Sequence, residues 1–365
     1  MKLAIVLGTR PEIVKMSPIL RECSKKGVSA FILHTGQHYT KELDEQIFSD
    51  LDLQKPKYNL DVGGKPYRLQ VGWMTKEISK ILMLEKPDAV IVQGDTISVL
   101  AGALAANKLG IPLAHHEAGL RSHDIKMIEE TNRIIVDNIS DFLFTPTPDA
   151  LKNLHQEGIP PEKISFTGNT IVDAVLQNLK ISEQKTNPLE KFNLRPKEYF
   201  LATSHRAENV DYPNILKGIL NGLFLVGKHF NLPVLFVMHP RTKLRLSELG
   251  HEMPKEVVPV ESLGFLEFLQ LEKNAKAVIT DSGGLQEECF ILGTPCVTIR
   301  DSTERPETIE YGANMLAGTS EEKILESTKK MVAKDISNIK HGNPFGDGNA
   351  AERIISTLIR CLQDK

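Results

Sequence analysis

The chain of 365 residues is too long for one ordinary hydrophobic core, and its length predicts about two domains. Its hydrophobic fraction of 41% and charged fraction of 25% are typical of a globular protein and exclude a disordered or membrane-embedded class. The 44 basic and 47 acidic residues give a net charge of −3, which argues against a protein that coats nucleic acid.

Cysteine usage and the first residues indicate a reducing compartment. Cys23, Cys289, Cys296 and Cys361 are sparse and lack zinc-ligand spacing, so we expect free thiols. The apolar run within Met1–Gly8 is too short for a secretory signal and is typical of a first buried strand. No apolar stretch approaches the roughly 18 residues that a bilayer span needs. We therefore expect a cytoplasmic protein without membrane association.

Short apolar runs alternate with longer helical patterns along the first half of the chain. The runs lack polar alternation, as do strands covered on both faces of a parallel sheet. They are Lys2–Leu7, Ser29–His34, Asp88–Gln93, Leu113–His116 and Phe142–Phe144. The helical patterns between them are Pro11–Lys25, Tyr67–Leu84, Thr96–Leu109 and Glu129–Ser140. This alternation predicts a doubly wound α/β sheet.

A change in composition marks the expected boundary between two domains. Asn169–Leu179 is predicted as the last helix of the first domain, and the polar stretch Ile181–Lys197 as the linker region. A second series of strands follows at Tyr199–Thr203, Val234–Met238, Val257–Val260, Ala277–Thr280 and Cys296–Ile299. We predict domains at residues 1–180 and 181–348, with a final helix at 349–362 that folds back onto the first domain.

Ligands of open α/β sheets collect outside the carboxyl ends of the strands, where six polar motifs of this chain lie. The first begins with Gly8-Thr9-Arg10-Pro11-Glu12. Thr9 and Glu12 match a capping box and Pro11 suits a first helical turn, so these three are interpreted as a capped helix start. Arg10 and Lys15 add two cations near a helix N-terminus, which suits a phosphate. For Lys15, a solvated helix face is an equal alternative.

Carboxylates dominate the second and third motifs. Gln93–Thr96 and His115–Arg121 each place an acid directly after a predicted strand, and Glu129–Arg133 opens the following helix. Taken singly, Asp95 and Glu117 are more commonly helix caps or surface acids. Converging at one sheet edge, they form an acid/base set, because crowded carboxylates raise one another's pKa.

The remaining three motifs lie in the second domain and favour a diphosphate ligand. His205 and Arg206 follow its first strand, and an arginine can bind phosphate through two parallel hydrogen bonds. In Asp281–Glu288, glycines at a strand-to-helix turn let backbone amides approach phosphate oxygens. Arg300–Glu307 supplies further cations, or else is a polar loop before a proline-started helix.

Several common cofactor fingerprints are missing from the sequence. It contains no G-x-G-x-x-G, no G-x-x-x-x-G-K-[ST] and no H-E-x-x-H. Asp50-x-Asp52 ends a helix pattern, and His239 has no partner at ligand spacing. We predict no nicotinamide cofactor, no ATPase loop and no essential metal.

Together and in this order, the six motifs resemble the non-hydrolysing UDP-N-acetylglucosamine 2-epimerase family. The match extends from Gly8–Glu12 to Asn343–Gly348, nearly the whole chain. The resemblance implies two Rossmann-like domains facing across a cleft, the arrangement of many glycosyltransferases (GT-B), usually as a homodimer. It implies UDP-N-acetylglucosamine and UDP-N-acetylmannosamine as ligands, and no cofactor.

The resemblance also assigns site residues. UDP would be held by Arg10, Lys15, His205, Ser282, Gly283, Gly284, Glu288 and Arg305. Acids and bases flanking the sugar would be Asp95, Glu117 and Glu129. His205 and Arg206 would meet the departing diphosphate, and His239 and Arg133 match further pocket positions.

The chain departs from the family pattern in two places. The segment between Arg121 and Glu129 is shorter than in many relatives, and Ile128 stands where they have a proline. Bacterial relatives bind a second substrate molecule as activator through residues matching Gln37-His38. Glu45 stands where a glutamine of that site is expected, so activation is not predicted here.

The expected chemistry is set by the weak acidity of the sugar. The C2 proton becomes acidic only as the C1–O bond to UDP breaks and C1 gains oxocarbenium character. The resemblance implies elimination of UDP to a glycal with a C1=C2 double bond, then re-addition after protonation on the other face. Preorganised groups that stabilise the departing diphosphate are each worth about 2.7–4 kcal/mol.

Three alternatives stay open: a hydrolysing epimerase, a retaining glycosyltransferase and a non-catalytic UDP-sugar binder. The trio Asp95, Glu117 and Glu129 disfavours the binder, because anionic groups near an anionic ligand cost affinity.

Overall fold

The computed structural model describes residues 1–37, 41–63, 67–249, 253–261, 263–334, 336 and 342–363. The chain divides into two compact units, each with its own sheet. Unit 1 comprises Met1–Gln177 and Pro344–Lys365, and unit 2 comprises Asn178–Asn343.

Over the described residues, unit 1 is built on a parallel sheet of seven strands in the order β3-β2-β1-β4-β5-β6-β7. The strands are β1 (Lys2–Leu7), β2 (Ser29–His34), β3 (Tyr58–Asn59), β4 (Ala89–Gln93), β5 (Leu113–His116), β6 (Phe142–Thr145) and β7 (Ile164–Phe166). Its helices are α1 (Arg10–Lys25), α2 (Lys41–Asp50), α3 (Tyr67–Glu85), α4 (Ile97–Leu109), α5 (Ile128–Ile139), α6 (Pro148–Gln156), α7 (Thr170–Lys185, which ends in unit 2) and α16 (Ala350–Gln363). The strand order reverses between β1 and β4, so a crevice for ligands is expected at their carboxyl ends.

The centre of unit 1 explains why its strands lack polar alternation. Ile5 of β1 lies between Ile32 and Ile91 of the neighbouring strands, and all three are inaccessible to solvent. Helix α4 is alanine-rich and packs closely on the sheet, because a Cβ at Gly102 would come within 3.0 Å of Val6. The carboxyl ends of β1, β4 and β5 are therefore fixed by a dense core.

Unit 2 repeats the architecture with six described strands in the order β10-β9-β8-β11-β12-β13. These are β8 (Phe200–Thr203), β9 (Val234–Val237), β10 (Val257–Val260), β11 (Val278–Thr280), β12 (Cys296–Thr298) and β13 (Asn314–Leu316). Its helices are α8 (Pro188–Lys191), α9 (Ala207–Val210), α10 (Pro213–Phe230), α11 (Pro240–Leu249), α12 (Phe265–Asn274), α13 (Gly283–Leu292), α14 (Pro306–Glu310) and α15 (Glu321–Ala333). Here the order reverses between β8 and β11, which places the polar motifs after those strands at a second crevice.

The expected linker is wrong in its secondary structure. Helix α7 continues to Lys185, and α8 follows within the stretch 181–197 that composition marks as a linker. The polar residue Ser182 is fully buried and donates a hydrogen bond of 2.6 Å to the carbonyl of Leu266. Polar composition was misleading here because α7 and α8 pass through a largely exposed stretch, while Ser182 is buried and satisfied inside unit 2.

The C-terminal helix α16 lies in unit 1. Asp173 of α7 accepts hydrogen bonds from the amides of Ala350 and Ala351 at 3.2 and 3.0 Å, so it caps the first turn of α16. The apolar face of α16, including Ile354 and Leu358, is buried. None of the described helices is both long and apolar enough to cross a membrane.

Candidate active site

Three acids lie where β1, β4 and β5 of unit 1 end. Since β1 pairs with β4 and β4 with β5, the residues that follow these strands are neighbours at one edge of the sheet. They are Glu12, Asp95 and Glu117.

Glu117 is held by three donors from three parts of unit 1. Lys15 forms an ion pair with it at 2.5 Å, the Asn169 side-chain amide donates to it at 3.0 Å, and Gln93 donates to its other oxygen. Its side chain is 6% exposed. Its backbone φ is +65°, a left-handed conformation that is uncommon outside glycine and recurs at functional sites. These contacts fix the position from which the Glu117 carboxyl can exchange a proton with a ligand.

Glu12 has a larger role than the capping interpretation gave it. The capping box is present, and the Glu12 carboxyl accepts from the amides of Gly8 and Thr9 at 2.5 and 3.0 Å. It also accepts from the Thr96 hydroxyl at 2.6 Å, so it joins the ends of β1 and β4. Burial raises its pKa to about 7, against the lowering effect of these hydrogen bonds, and the charge of Asp95 adds to the rise.

Asp95 is coupled to helix α5. Arg133 forms an ion pair with its carboxylate, and the Asn132 side-chain amide donates to its carbonyl at 2.8 Å. The second branch of Arg133 donates to Glu130 at 2.5 Å. Glu129, by contrast, is exposed in the first turn of α5.

Glu130 organises the segment that departs from the family pattern. It is buried and accepts from the amides of Ser122 and His123 at 2.9 Å each. Burial raises its pKa, but these amides, the Ser122 hydroxyl and Arg133 hold it below the ordinary value. The short segment is thereby tied to the arginine that holds Asp95.

A buried layer stands behind these acids. Asp137 contacts His115 at 2.6 Å and Arg121 at 2.8 Å, and accepts from the Gly119 amide at 3.1 Å. The other ring nitrogen of His115 lies 2.8 Å from the Gly94 carbonyl, so it donates there. The ends of β4 and β5 are therefore locked together directly behind Asp95 and Glu117.

Asp281 organises the corresponding edge of unit 2. It is inaccessible to solvent, and one of its carboxylate oxygens accepts from the amides of His205 and Arg206 at 2.9 and 3.0 Å. The Ser204 hydroxyl and the Asn209 amide donate to the same oxygen at 3.1 and 3.0 Å. The His205 ring lies 2.8 Å from the other oxygen. The backbone and side chains of the loop after β8 therefore converge on the buried Asp281 carboxylate.

The predicted phosphate-binding side chains surround this loop. The His205 and His239 rings lie 5.8 Å apart between centroids, and Nδ1 of His239 accepts from the Arg241 amide at 3.2 Å. Because Nδ1 is an acceptor, the proton of neutral His239 lies on Nε2. Arg206 donates to the Asp281 carbonyl at 3.0 Å.

Helix α13 presents its first turn at the same edge. Ser282 caps it, and, beyond the adjacent residues and the helix's own backbone, the nearest described atom to a Cβ at Gly283 would be a Glu304 carboxylate oxygen at 3.7 Å. Glu304 binds Arg300 through both oxygens at 2.7 and 2.8 Å, and Arg206 lies 3.5 Å away. The hydrogen bonds of Arg300 lower the pKa of Glu304 to about 2, although burial opposes them. The Glu304 carboxylate therefore lies beside the first turn of α13 and two arginines, at a position that suits an anion.

The structure brings most of the predicted residues together within their own unit. Asp95, Glu117, Lys15 and Arg133 form one network in unit 1. In unit 2, the residues at the ends of β8, β9 and β11 are adjacent: His205, Arg206, His239, Ser282 and Gly283. Gly284 follows in α13, Arg305 pairs with buried Glu287 at 2.6 Å, and Glu288 is half-buried. Arg10 is exposed at the start of α1. His38 and the Glu45 side chain lie outside the described residues.

Sequence reasoning missed the buried acids Glu12, Glu130 and Asp281. Each belongs to a motif that was recognised. Local sequence gave no reason to expect that this particular acid of the motif is buried and organises the site. An acid directly after a buried strand was the usable signal for Asp281. In the part of the chain that the structure describes, no three His, Cys, Asp or Glu side chains are grouped to hold a metal ion.

Comparison with known proteins gives a consistent result. The family model described as UDP-N-acetylglucosamine 2-epimerase matches residues 21–359. The UDP-N-acetylglucosamine 2-epimerase of Methanocaldococcus jannaschii is 51% identical over 364 residues, which cover 98% of this chain and 99% of that protein. The UDP-2,3-diacetamido-2,3-dideoxy-D-glucuronate 2-epimerase of Pseudomonas aeruginosa is 40% identical over 365 residues, covering 99% of this chain and all of that one (100%).

A solved structure agrees in fold. The crystal structure of the M. jannaschii UDP-GlcNAc 2-epimerase in complex with UDP-GlcNAc and UDP has a TM-score of 0.87 and 50% identity, covering 99% of this chain and 100% of that chain. The predicted fold class, with two Rossmann-like α/β domains, is confirmed. The chain belongs to the UDP-N-acetylglucosamine 2-epimerase family.

Proposed function

We propose that this protein interconverts UDP-N-acetylglucosamine and UDP-N-acetylmannosamine by eliminating UDP and adding it back, without hydrolysis. The observation that carries the proposal is the pair Asp95 and Glu117. In a member of this family, both acids stand at the ends of adjacent strands, each held by its own cation. General acids and bases need such fixed positions.

Unit 1 supplies the proton chemistry. Asp95, Glu117 and Glu129 act as acids and bases at C2, and Lys15 and Arg133 stabilise the ionised forms of Glu117 and Asp95. The ion pairs at these two acids support the assignment. Arg10 contributes a further cation to the ligand.

Unit 2 supplies the groups that hold UDP and stabilise it as it leaves. His205 and Arg206 face the diphosphate, and the first turn of α13 at Ser282, Gly283 and Gly284 offers backbone amides. His239, Arg305 and Glu288 complete the contacts. A side chain held firm by a buried acid, as His205 is by Asp281, stabilises departing charge without rearranging.

The choice of sugar has one specific competitor. The 40% identity to the P. aeruginosa relative makes UDP-2,3-diacetamido-2,3-dideoxy-D-glucuronate a second candidate substrate. The relative at 51% identity favours UDP-N-acetylglucosamine. Both sugars carry the acetamido group on C2, so the proposed elimination applies to either. The product would serve surface polysaccharide or glycan synthesis, and we retain the predictions of a cytoplasmic homodimer.

The test is incubation with UDP-N-acetylglucosamine in D₂O without added cofactor, followed by NMR of the products. We expect UDP-N-acetylmannosamine that carries deuterium at C2, with positional exchange of the oxygen bridging UDP to C1. Free N-acetylmannosamine would indicate a hydrolysing epimerase, and absence of C2 exchange a glycosyltransferase or a binder. Epimerised product that retains protium at C2 would contradict elimination. A parallel reaction with the diacetamido substrate decides the sugar.

A further inference from the structure

A buried carboxyl group in unit 2 has no N–H or hydroxyl donor among the described residues. Glu272 lies on α12 and is inaccessible to solvent, and in that part of the chain only the weakly donating Cys289 thiol is placed to bond its oxygens. It contacts the Glu288 carboxyl and the Cys289 thiol, both on the adjacent helix α13. A carboxyl group buried without donors would cost several kcal/mol if it were ionised.

Two carboxyl groups in contact share one proton, because two adjacent negative charges in a poorly solvated site repel. Glu288 is half-buried and Glu272 is fully buried, so the proton resides on Glu272. Burial first, and then the charge of Glu288, raise the pKa of Glu272 well above the ordinary value. The other groups facing Glu272 are the thiols of Cys289 and Cys296.

Lys197, the cation that lies beside Cys289, does not replace the proton. Its ammonium donates to the carbonyls of Lys273 and Ala275 at 2.8 Å each. Glu272 is therefore a neutral O–H donor whose acceptor is the Glu288 carboxylate.

We propose that Glu272 is a positioning residue whose carboxyl O–H fixes the Glu288 carboxylate to accept hydroxyl groups of the bound nucleotide. This inference rests on the proposed function. Glu288 stands one helical turn after Gly284, in the helix whose first turn we assign to the diphosphate. An ionised carboxylate only accepts hydrogen bonds, so its partner on a UDP-sugar is a hydroxyl group and not a phosphate. With one oxygen held by Glu272, the other is oriented toward the ligand.

The test compares Glu272→Met, Glu272→Gln and the matched control Gln270→Met. Gln270 is on the same helix, is nearly as buried and donates to the Thr186 carbonyl at 3.0 Å, away from Glu288. UDP binding by calorimetry should weaken about 10-fold in Glu272→Met, the scale of one hydrogen bond to a charged group. Glu272→Gln should bind nearly as wild type, because its amide still donates.

A second readout separates positioning from general damage. Glu272→Met removes a buried carboxyl that lacks N–H and hydroxyl donors in the described part of the chain, so its urea midpoint should equal or exceed that of wild type while its affinity falls. If Glu288 accepts hydrogen bonds from the ribose hydroxyls, wild type and Glu272→Met should bind 2′,3′-dideoxy-UDP equally, because this ligand lacks those hydroxyls. If Glu288 instead accepts from the sugar hydroxyls, Glu272→Met should lose affinity for UDP-N-acetylglucosamine and not for UDP. Glu272→Leu carries the same comparison if Glu272→Met does not fold.

The inference is overturned if Glu272→Met binds both UDP and UDP-N-acetylglucosamine with wild-type affinity, or if Glu272→Met and Glu272→Gln lose equal affinity. It is also overturned if Glu272→Met loses equal affinity for UDP and dideoxy-UDP and no additional affinity for UDP-N-acetylglucosamine. A loss in Gln270→Met as large as in Glu272→Met would also overturn it. Failure of the proposed function is distinct, since wild-type protein would then form no epimerised product, whatever its affinity for UDP.

Discussion

Asp281→Asn should loosen the loop that follows β8 in unit 2 and weaken UDP binding. Asp281 receives the amides of His205 and Arg206, the Ser204 hydroxyl and the Asn209 side chain on one oxygen, and the His205 ring on the other. Asparagine keeps the shape but removes the charge, and it places an N–H₂ group against one set of donors. The loop would then lose the anion around which it is folded.

The size of this effect follows from the pKa of Asp281. Burial raises the pKa, but the His205 ring and the backbone amides outweigh burial and lower it from 3.8 to about 2. At about 1.36 kcal/mol per unit, the ionised carboxylate stabilises unit 2 by roughly 2–3 kcal/mol at neutral pH. Because the folded pKa is the lower one, the stabilisation is present above pH 3.8 and is lost as the pH falls through about 2.

Hydrogen–deuterium exchange of peptides spanning residues 204–209 measures this loosening directly. At neutral pH the amides of His205 and Arg206 should exchange up to roughly 100-fold faster in Asp281→Asn. Asp211→Asn is the matched control, because Asp211 is paired with Arg241 and Arg245 at the surface, where ion pairs contribute little. Unchanged exchange in Asp281→Asn, or equal acceleration in Asp211→Asn, would refute the reasoning.

Three further predictions concern unit 1. Glu117→Gln and Asp95→Asn should each lower turnover by roughly 10²–10⁴ with unchanged circular dichroism, and near-wild-type rates would remove both from the chemistry. Lys15→Met removes the cation beside the buried Glu117 carboxylate and should cost unit 1 about 3–5 kcal/mol in urea unfolding followed by Trp73 fluorescence. An unchanged midpoint contradicts this. Glu12, with a folded pKa raised from 4.5 to about 7, stabilises unit 1 below pH 4.5 and loses that contribution as the pH rises through 7. Glu12→Gln should flatten this pH dependence, and parallel curves for both proteins would count against it.

The sequence predicted the sheets because burial on both faces leaves a local pattern. The predicted runs Lys2–Leu7 and Asp88–Gln93 lack polar alternation, and the structure has strands at Lys2–Leu7 and Ala89–Gln93. The short edge strands Tyr58–Asn59, Ile164–Phe166 and Asn314–Leu316 were missed, since two or three residues carry no periodicity and their pairing is decided by the neighbouring strand. Ser182 was misread because its partner, a carbonyl 84 residues away, is invisible in composition.

The same distinction holds at the site. Strand-end motifs selected Asp95, Glu117 and His205 as candidates, because position after a buried strand is readable from local sequence. Their partners cannot be read from local sequence. Lys15 and Glu117 are 102 residues apart in the chain, and Asp281 and His205 come into contact because β8 pairs with β11. Glu272 gave no signal at all, since a glutamate in a helix is ordinarily a surface residue.

The ion pairs of Asp95 and Glu117 also bear on whether the protein is an enzyme or a non-catalytic binder. Unpaired carboxylates beside an anionic ligand would cost affinity, which favours chemistry as their purpose. In the structure Asp95 is paired with Arg133 and Glu117 with Lys15, so a binder would lose little by keeping them. The fate of the C2 proton is therefore the observation that separates an enzyme from a binder. In the proposed mechanism the sugar loses its C2 hydrogen to a carboxylate, and the ion pairs with Lys15 and Arg133 hold Glu117 and Asp95 in fixed positions for that step. Deuterium incorporation at C2 should fall with turnover in Glu117→Gln or Asp95→Asn, whereas exchange that persists in both variants would place the base outside this pair.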